Sequence, residues 1–250
     1  MSLNVSEAAG LTEAVIFDFI GTLAEVQDYP IEEFVKKTYE SLVDDGFHMD
    51  YKRFIEVFYQ TYQKYRLIRY QKLVEVGNSI WIAETLNQLG FAAEPEDDAV
   101  MKAVNVSFQG YFESLKARPC ASQTLKELSG GYALALVSNF TYAPVVYAGV
   151  RKLRFSSYFD SILVSDDVGW RKPHPRMFEE ALKRLDKSVE QAVFVGDNPM
   201  EDIQGAKDIG MKAVFIPSQF FTIEDAGKAP QPPDVIINSL CELPRVLTEI

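Results

Sequence analysis

The chain is short of the residues that staple small proteins or build many hydrolytic sites. It has two cysteines, Cys120 and Cys241, far apart and in no CxxC pair, and two histidines, His48 and His174. Two cysteines are too few for a disulfide framework or a structural zinc site. They are expected to be buried thiols in a reducing, cytoplasmic setting. With so little histidine and no GxSxG, a Ser-His-Asp triad has little to build on. There is no GxxxxGK[ST], and no GxGxxG after a strand, so the usual nucleotide-cradling loops are unsupported. No apolar run nears the ~20 residues of a membrane span. Residues 1–13 lack a basic start and an apolar stretch, so they read as a leader and not as a signal peptide. Positive charge is also scarce: 25 Lys and Arg stand against 36 Asp and Glu, a net charge of −11. That field disfavours nucleic acid and anionic membrane as partners, yet leaves room for a small anionic substrate in a cleft.

What is present is ordinary globular material, 47% hydrophobic and 24% charged, enough for a sizeable core. The length allows one large domain or two moderate ones. Short apolar runs recur and end in polar residues. AVIF (14–17) ends at Asp18, YALALV (132–137) at Ser138-Asn139, SILV (161–164) at Ser165-Asp166, AVFV (192–195) at Gly196-Asp197 and AVFI (213–216) at Pro217. Residues 235–237 add a further candidate strand. Helical patterns over 122–128, 143–153, 175–185 and 201–209 separate them. Such alternation predicts an α/β fold with a Rossmann-like parallel sheet, whose ligands sit at the carboxyl ends of the strands. Asp18, Ser138, Asp166 and Asp197 occupy those ends. Between the first two strands lie roughly a hundred residues without a strand signal. They read as helices over 30–45, 51–75 (with Asp50 as N-cap), 78–89 and 96–115. A helical insertion straight after a site-bearing strand is well placed to be a lid. The expected division is therefore a core of residues 1–24 and 116–250 and a helical cap of residues 25–115.

Four segments carry the chemistry: Phe17-Asp18-Phe19-Ile20-Gly21-Thr22-Leu23, Val137-Ser138-Asn139, Arg171-Lys172-Pro173, and Gly196-Asp197-Asn198-Pro199-Met200-Glu201-Asp202. In this order, they resemble the four motifs of the haloacid dehalogenase superfamily. The resemblance covers nearly the whole chain, including the place of the cap. It implies a hydrolase in which Asp18 is nucleophile and metal ligand. The Ile20 backbone carbonyl and Asp197 complete a Mg²⁺ site, with Asp202 close behind. Ser138 and Lys172 would bind phosphate, and Thr22 and Asn139 would support the loops around the substrate. The chemistry is coherent. A carboxylate can attack a phosphoryl group, the attack on a dianion needs positive charge, and Mg²⁺ prefers hard oxygen ligands.

One position departs from the pattern. Phosphatases of the superfamily usually carry a second aspartate two residues after the nucleophile, and here Ile20 stands there. General acid–base help is worth ~10²–10⁴ in rate, and isoleucine cannot supply it. Dehalogenases also lack that aspartate, but they use no magnesium and lack the Gly196-Asp197 pair. Phosphonatases place a small residue there and use a cap lysine, for which Lys36, Lys37, Lys52, Lys64 and Lys72 are candidates by count only. The favoured reading is a phosphatase for small phosphorylated metabolites. A C–P or C–halogen hydrolase, or a weakly catalytic binding protein on the same fold, are the alternatives. In the predicted cap, Tyr59, Tyr62, Arg66 and Arg69 share a helix face. Either they form a cationic, aromatic wall facing an anionic substrate, or the tyrosines pack inside the cap and the arginines face water.

Overall fold

A computed structural model describes residues 12–26 and 30–250 of the chain. Strand β1 (Ala14–Phe17) is buried at every residue, as a four-residue apolar run flanked by sheet on both sides must be. The chain then makes a two-residue strand β2 (Ala24–Glu25) and enters four helices: α1 (Ile31–Asp44), α2 (Tyr51–Lys72), α3 (Asn78–Gln88) and α4 (Asp98–Ser114). It returns through β3 (Lys116–Ala117), which pairs antiparallel with β2. After that, strands and helices alternate: α5 (Ala121–Leu128), β4 (Ala133–Ser138), α6 (Ala143–Lys152), β5 (Ser161–Val164), the single turn α7 (Ser165–Val168), α8 (Pro175–Leu185), β6 (Ala192–Gly196), α9 (Gln204–Asp208), β7 (Lys212–Phe215), β8 (Val235–Ile236) and α10 (Leu243–Val246).

The main sheet has six strands in the order β5-β4-β1-β6-β7-β8, and every pairing in it is parallel. β1 is the switch point, with later strands running outward on either side. The crevice at the carboxyl ends of β4, β1 and β6 is where an open parallel sheet binds ligands. Alternation along the strands divides the core. Val15, Phe17, Leu134 and Leu136 pack with α5 and α6 on one face. Ile16, Ala135, Val137 and Phe194 pack with α8 and α9 on the other. The insert has an apolar cluster of its own, centred on Phe34, Leu42, Phe54, Phe58, Trp81 and Val100. Two buried hydroxyl pairs lock its helices: Thr38 with Ser107 at 2.7 Å and Thr61 with Thr85 at 2.6 Å. Asp50 caps α2 as expected, accepting from Arg53 N at 2.8 Å.

Several expectations need correcting. The helix expected to reach residue 75 ends at Lys72, where Leu73 turns left-handed at φ 54. The following residues pair with the core instead. Val74 and Trp170 form an antiparallel bridge, with Arg171 N donating to Leu73 O and Glu75 N to Gly169 O, both at 3.0 Å. The helix expected over 201–209 begins earlier, as a π-helical turn over Pro199–Ile203 that runs into α9. Of the leader, only Thr12 and Glu13 are among the described residues. Glu13 belongs to the fold, donating to Gln191 O and accepting from Ala133 N. The cysteines are not thiols: Cys120 and Cys241 form a disulfide. The α5 helix packs on the turn Leu240–Glu242, where Thr124 Oγ1 donates to Leu240 O at 3.0 Å, and this contact brings residues 121 apart in sequence together. The cytoplasmic expectation, which leaned on free thiols, loses that support. No helix among the described residues is long and apolar enough to cross a membrane.

Candidate active site

Asp18 leaves the carboxyl end of β1 with its own N–H still in the ladder, donating to Val195 O at 2.9 Å. Asp197 follows β6, and Asp202 sits in the π-helical turn. Oxygens of these three carboxylates lie within 4.8 Å of one another. Lys172 reaches them from the loop before α8, its side chain 1% exposed. Its ammonium donates to Asp18 Oδ1 at 2.7 Å and to Val137 O at 2.8 Å, and it pairs with Asp202 Oδ1 at 2.7 Å. Asp202 Oδ2 accepts from Asn198 N at 3.0 Å, so that carboxylate is held by protein on both sides. Asp197 Oδ2 accepts from Ser218 Oγ at 2.5 Å. Asp18 Oδ2 is buried with no hydrogen-bond partner among the described residues. A buried carboxylate oxygen of that kind calls for a ligand.

The local chain is shaped for this approach. Gly21 has φ +101, and a Cβ there would overlap the Asp197 carboxylate. A Cβ at Gly196 would overlap Asp202. A bridge between Ile20 and Ala24 uses Phe19 O and Gly21 N, which leaves the Ile20 carbonyl outside it. Arg118 ties the loops together by donating to Gly21 O and, at 2.8 Å, to Pro217 O. With all three carboxylates ionised, the single ammonium leaves two negative charges in excess, and the donors are hard oxygens. That set fits a divalent cation. Burial, then the charges of Asp18 and Asp202, push Asp197 well above the usual carboxylate range. Burial also raises Asp202, with Lys172 pulling the other way. For Lys172, burial pulls downward, but Asp18 and Asp202 outweigh it and keep the ammonium charged.

A cavity of about 250 Å³ opens onto this cluster, lined in part by Asp18, Ile20, Ser138, Asn139, Asp197 and Asp202. Seven of the expected site residues therefore meet: these six and Lys172. Asn139 lines the cavity with its amide already engaged. Its Oδ1 accepts from Lys172 N at 2.7 Å, and its Nδ2 donates to Lys172 O at 2.9 Å and to Glu201 Oε2 at 2.8 Å. Thr22 is fully buried and does not line the cavity. Neither does Arg66, which lies exposed on α2 with its guanidinium over Tyr70. Arg69 is turned to Glu75, its Nε 2.6 Å from Oε1. Tyr111, Glu201, Phe220 and Ser218 are site residues the sequence reading missed. Glu201 stood inside the fourth motif. The others arrive by tertiary packing and carried no local signal. Burial and the nearby Asp18 charge raise the Tyr111 hydroxyl, so it keeps its proton.

A sequence model for haloacid dehalogenase-like hydrolases matches residues 12–210. The chain belongs to the haloacid dehalogenase-like hydrolase family. Among curated relatives, a glyceraldehyde 3-phosphate phosphatase of Methanothermobacter thermautotrophicus is 37% identical over 114 residues, 45% of this chain and 50% of that one. The chain thus spans about half the length of that relative. Two solved structures share the fold. A 2-haloacid dehalogenase from Pseudomonas syringae pv. Tomato has a TM-score of 0.67 at 23% identity, covering 95% of this chain and 99% of that one. A phosphatase of the same superfamily from Thermococcus onnurineus has a TM-score of 0.61 at 23% identity, covering 94% and 98%.

Proposed function

We propose that this hydrolase is a magnesium-dependent phosphatase acting on a small phosphorylated metabolite through an aspartyl-phosphate on Asp18. The observation that carries the reading is the meeting of Asp18, Asp197, Asp202 and Lys172 at one cavity with Ser138. The phosphatase relative supports it. Asp18, Asp197 and the Ile20 carbonyl would hold the ion, with Asp202 behind them, and bound there it supplies the charge that lets a carboxylate approach a phosphoryl dianion.

The chain's own groups do the rest. An Asp18 oxygen bonds to phosphorus as the bond to the leaving oxygen breaks, and that oxygen departs with its electron pair. Lys172 cancels charge on the nucleophile and the phosphoryl oxygens, and Ser138 donates a hydrogen bond to them. Water then attacks phosphorus, the bond to Asp18 breaks, the carboxylate is restored, and the phosphate departs carrying the water's protons. Residues 31–114 serve as the cap that shields these steps from bulk water. Ile20 lines the cavity and offers the leaving oxygen no proton. The activity is therefore selective for leaving groups that need none, such as aryl or acyl phosphates. A dehalogenase reading fits less well, because a 2-haloacid carboxylate would meet a cluster in excess negative charge with no metal to offset it.

The test is hydrolysis of p-nitrophenyl phosphate against a simple alkyl phosphate, with and without Mg²⁺. Metal-dependent turnover that favours the aryl ester and vanishes in Asp18→Asn is the expected result. Equal rates on both esters, or indifference to metal, would overturn the reading.

A further inference from the structure

A second cavity of about 220 Å³ lies inside the helical insert and against the core. Its walls are largely aromatic: Phe34, Phe58, Tyr62, Trp81 and Phe108. It adjoins the acidic cavity, because Tyr111 lines both, and Phe140 of the first is followed in the chain by Thr141 of the second. Two polar atoms on lining residues have no partner among the described residues, Trp81 Nε1 and Asn78 Oδ1. Their side chains are nonetheless buried, Trp81 at 2% exposure and Asn78 at 4%. Buried donors and acceptors are rarely left so, and those that are call for a ligand or water. Among the described residues the only charged lining residue is Arg69, and Glu75 already neutralises it at 2.6 Å. The described walls therefore offer ring faces, with one unpaired N–H and one unpaired carbonyl oxygen buried within them, and no free charge for a second phosphate or a carboxylate. For scale, an apolar cavity of about 150 Å³ holds benzene.

We propose that this cavity seats the neutral aryl group of a phosphomonoester whose phosphoryl group lies at Asp18, the ring packing past Tyr111. A hydroxyl on the ring would accept from Trp81 Nε1 and donate to Asn78 Oδ1. The inference rests on the phosphatase reading and narrows it, since a phenolate is a leaving group that Ile20 permits without a proton donor. It turns part of the aromatic interior of the insert into a specificity site.

Non-hydrolysable phosphonates test it in the full chain with Mg²⁺. The chain has two tryptophans, so Trp170→Phe, away from both cavities, leaves Trp81 as the only indole reporter. Phenylphosphonate is expected to change Trp81 fluorescence saturably and to bind at least tenfold tighter than methylphosphonate. 4-Hydroxyphenylphosphonate is expected to bind tighter still. Against the parent background, Trp81→Phe keeps a ring and removes the N–H, so by calorimetry it should abolish the preference for the hydroxylated ring while phenylphosphonate still binds. Phe108→Trp, which fills the cavity, should weaken phenylphosphonate about tenfold and leave methylphosphonate unchanged. If methylphosphonate binds as tightly as both aryl probes, the aryl site is wrong and the phosphatase reading stands. If no phosphonate and no inorganic phosphate binds, both fall together.

Discussion

Lys172 keeps its ammonium charged while fully buried because Asp18 and Asp202 each lie 2.7 Å away. Asp197 has no such cation at contact distance among the described residues, and burial, then the charges of Asp18 and Asp202, raise its carboxyl. At neutral pH the metal-free fold therefore carries an electrostatic load that a divalent ion would lift. Asp197→Asn should raise the melting temperature in EDTA, by roughly 2–4 °C for each kcal/mol relieved, and should abolish stabilisation by Mg²⁺. The parent chain should gain about 2.7 kcal/mol when Mg²⁺ is at a hundred times its dissociation constant. Thermal melts with and without metal check both; a lower EDTA midpoint for Asp197→Asn would count against the charged-cluster account. Ile20 is the other decisive residue. Ile20→Asp should raise turnover of alkyl phosphates by up to about 10²–10⁴, with aryl phosphates gaining less, as comparative kcat values would show. Most of the proposed chemistry was legible at this scale because Asp18, Ser138 and Asp197 stand at the carboxyl ends of apolar strands. Ser218 and Tyr111 were not, since only folding brings the loop after β7 and the end of α4 to the same carboxylates.

Among the elements, the strands declared themselves through short apolar runs, and their observed ends shift by a residue or so. β2 and β3 escaped notice because two residues show no periodicity. The loop at 73–76 was hidden for a different reason: Leu-Val-Glu-Val holds no glycine or proline to mark a stop, and the segment pairs with residues 169–171 instead. That loop fastens the insert to the core. Glu75, its side chain 1% exposed, accepts from Arg69, from Ser165 Oγ at 2.6 Å and from Arg171 at 3.4 Å. Arg171 in turn holds Glu201 at 3.0 Å, and Glu201 lines the acidic cavity. Glu75→Gln would leave two arginines short of a buried counter-charge, a change expected to cost about 3–5 kcal/mol. Chemical denaturation would measure the loss, and hydrogen exchange should rise at 73–76 and 169–171. An unchanged midpoint would show that the bridge does not depend on the charge. The same helix carries the predicted wall. Tyr62 and Arg69 reach the second cavity, while Tyr59 and Arg66 do not line it, because a common helix face is wider than the opening it meets.

On the scale of the whole molecule, a parallel sheet with its switch point at β1 gathers loops from distant parts of the chain at one crevice. The architecture was legible from the alternation of strands and helices. The disulfide was not, because two lone cysteines 121 residues apart carry no pairing information until the C-terminal turn is seated on α5. The central claim is that Asp18 lies where a metal-assisted phosphoryl group can bond to it. The most direct measurement is fluorine NMR of the chain with beryllium fluoride, a mimic of an aspartyl-phosphate, with and without Mg²⁺. Bound fluorine signals that require Mg²⁺ and are lost in Asp18→Asn are predicted. No bound signal in the parent chain, or the same signal in Asp18→Asn, would contradict the account.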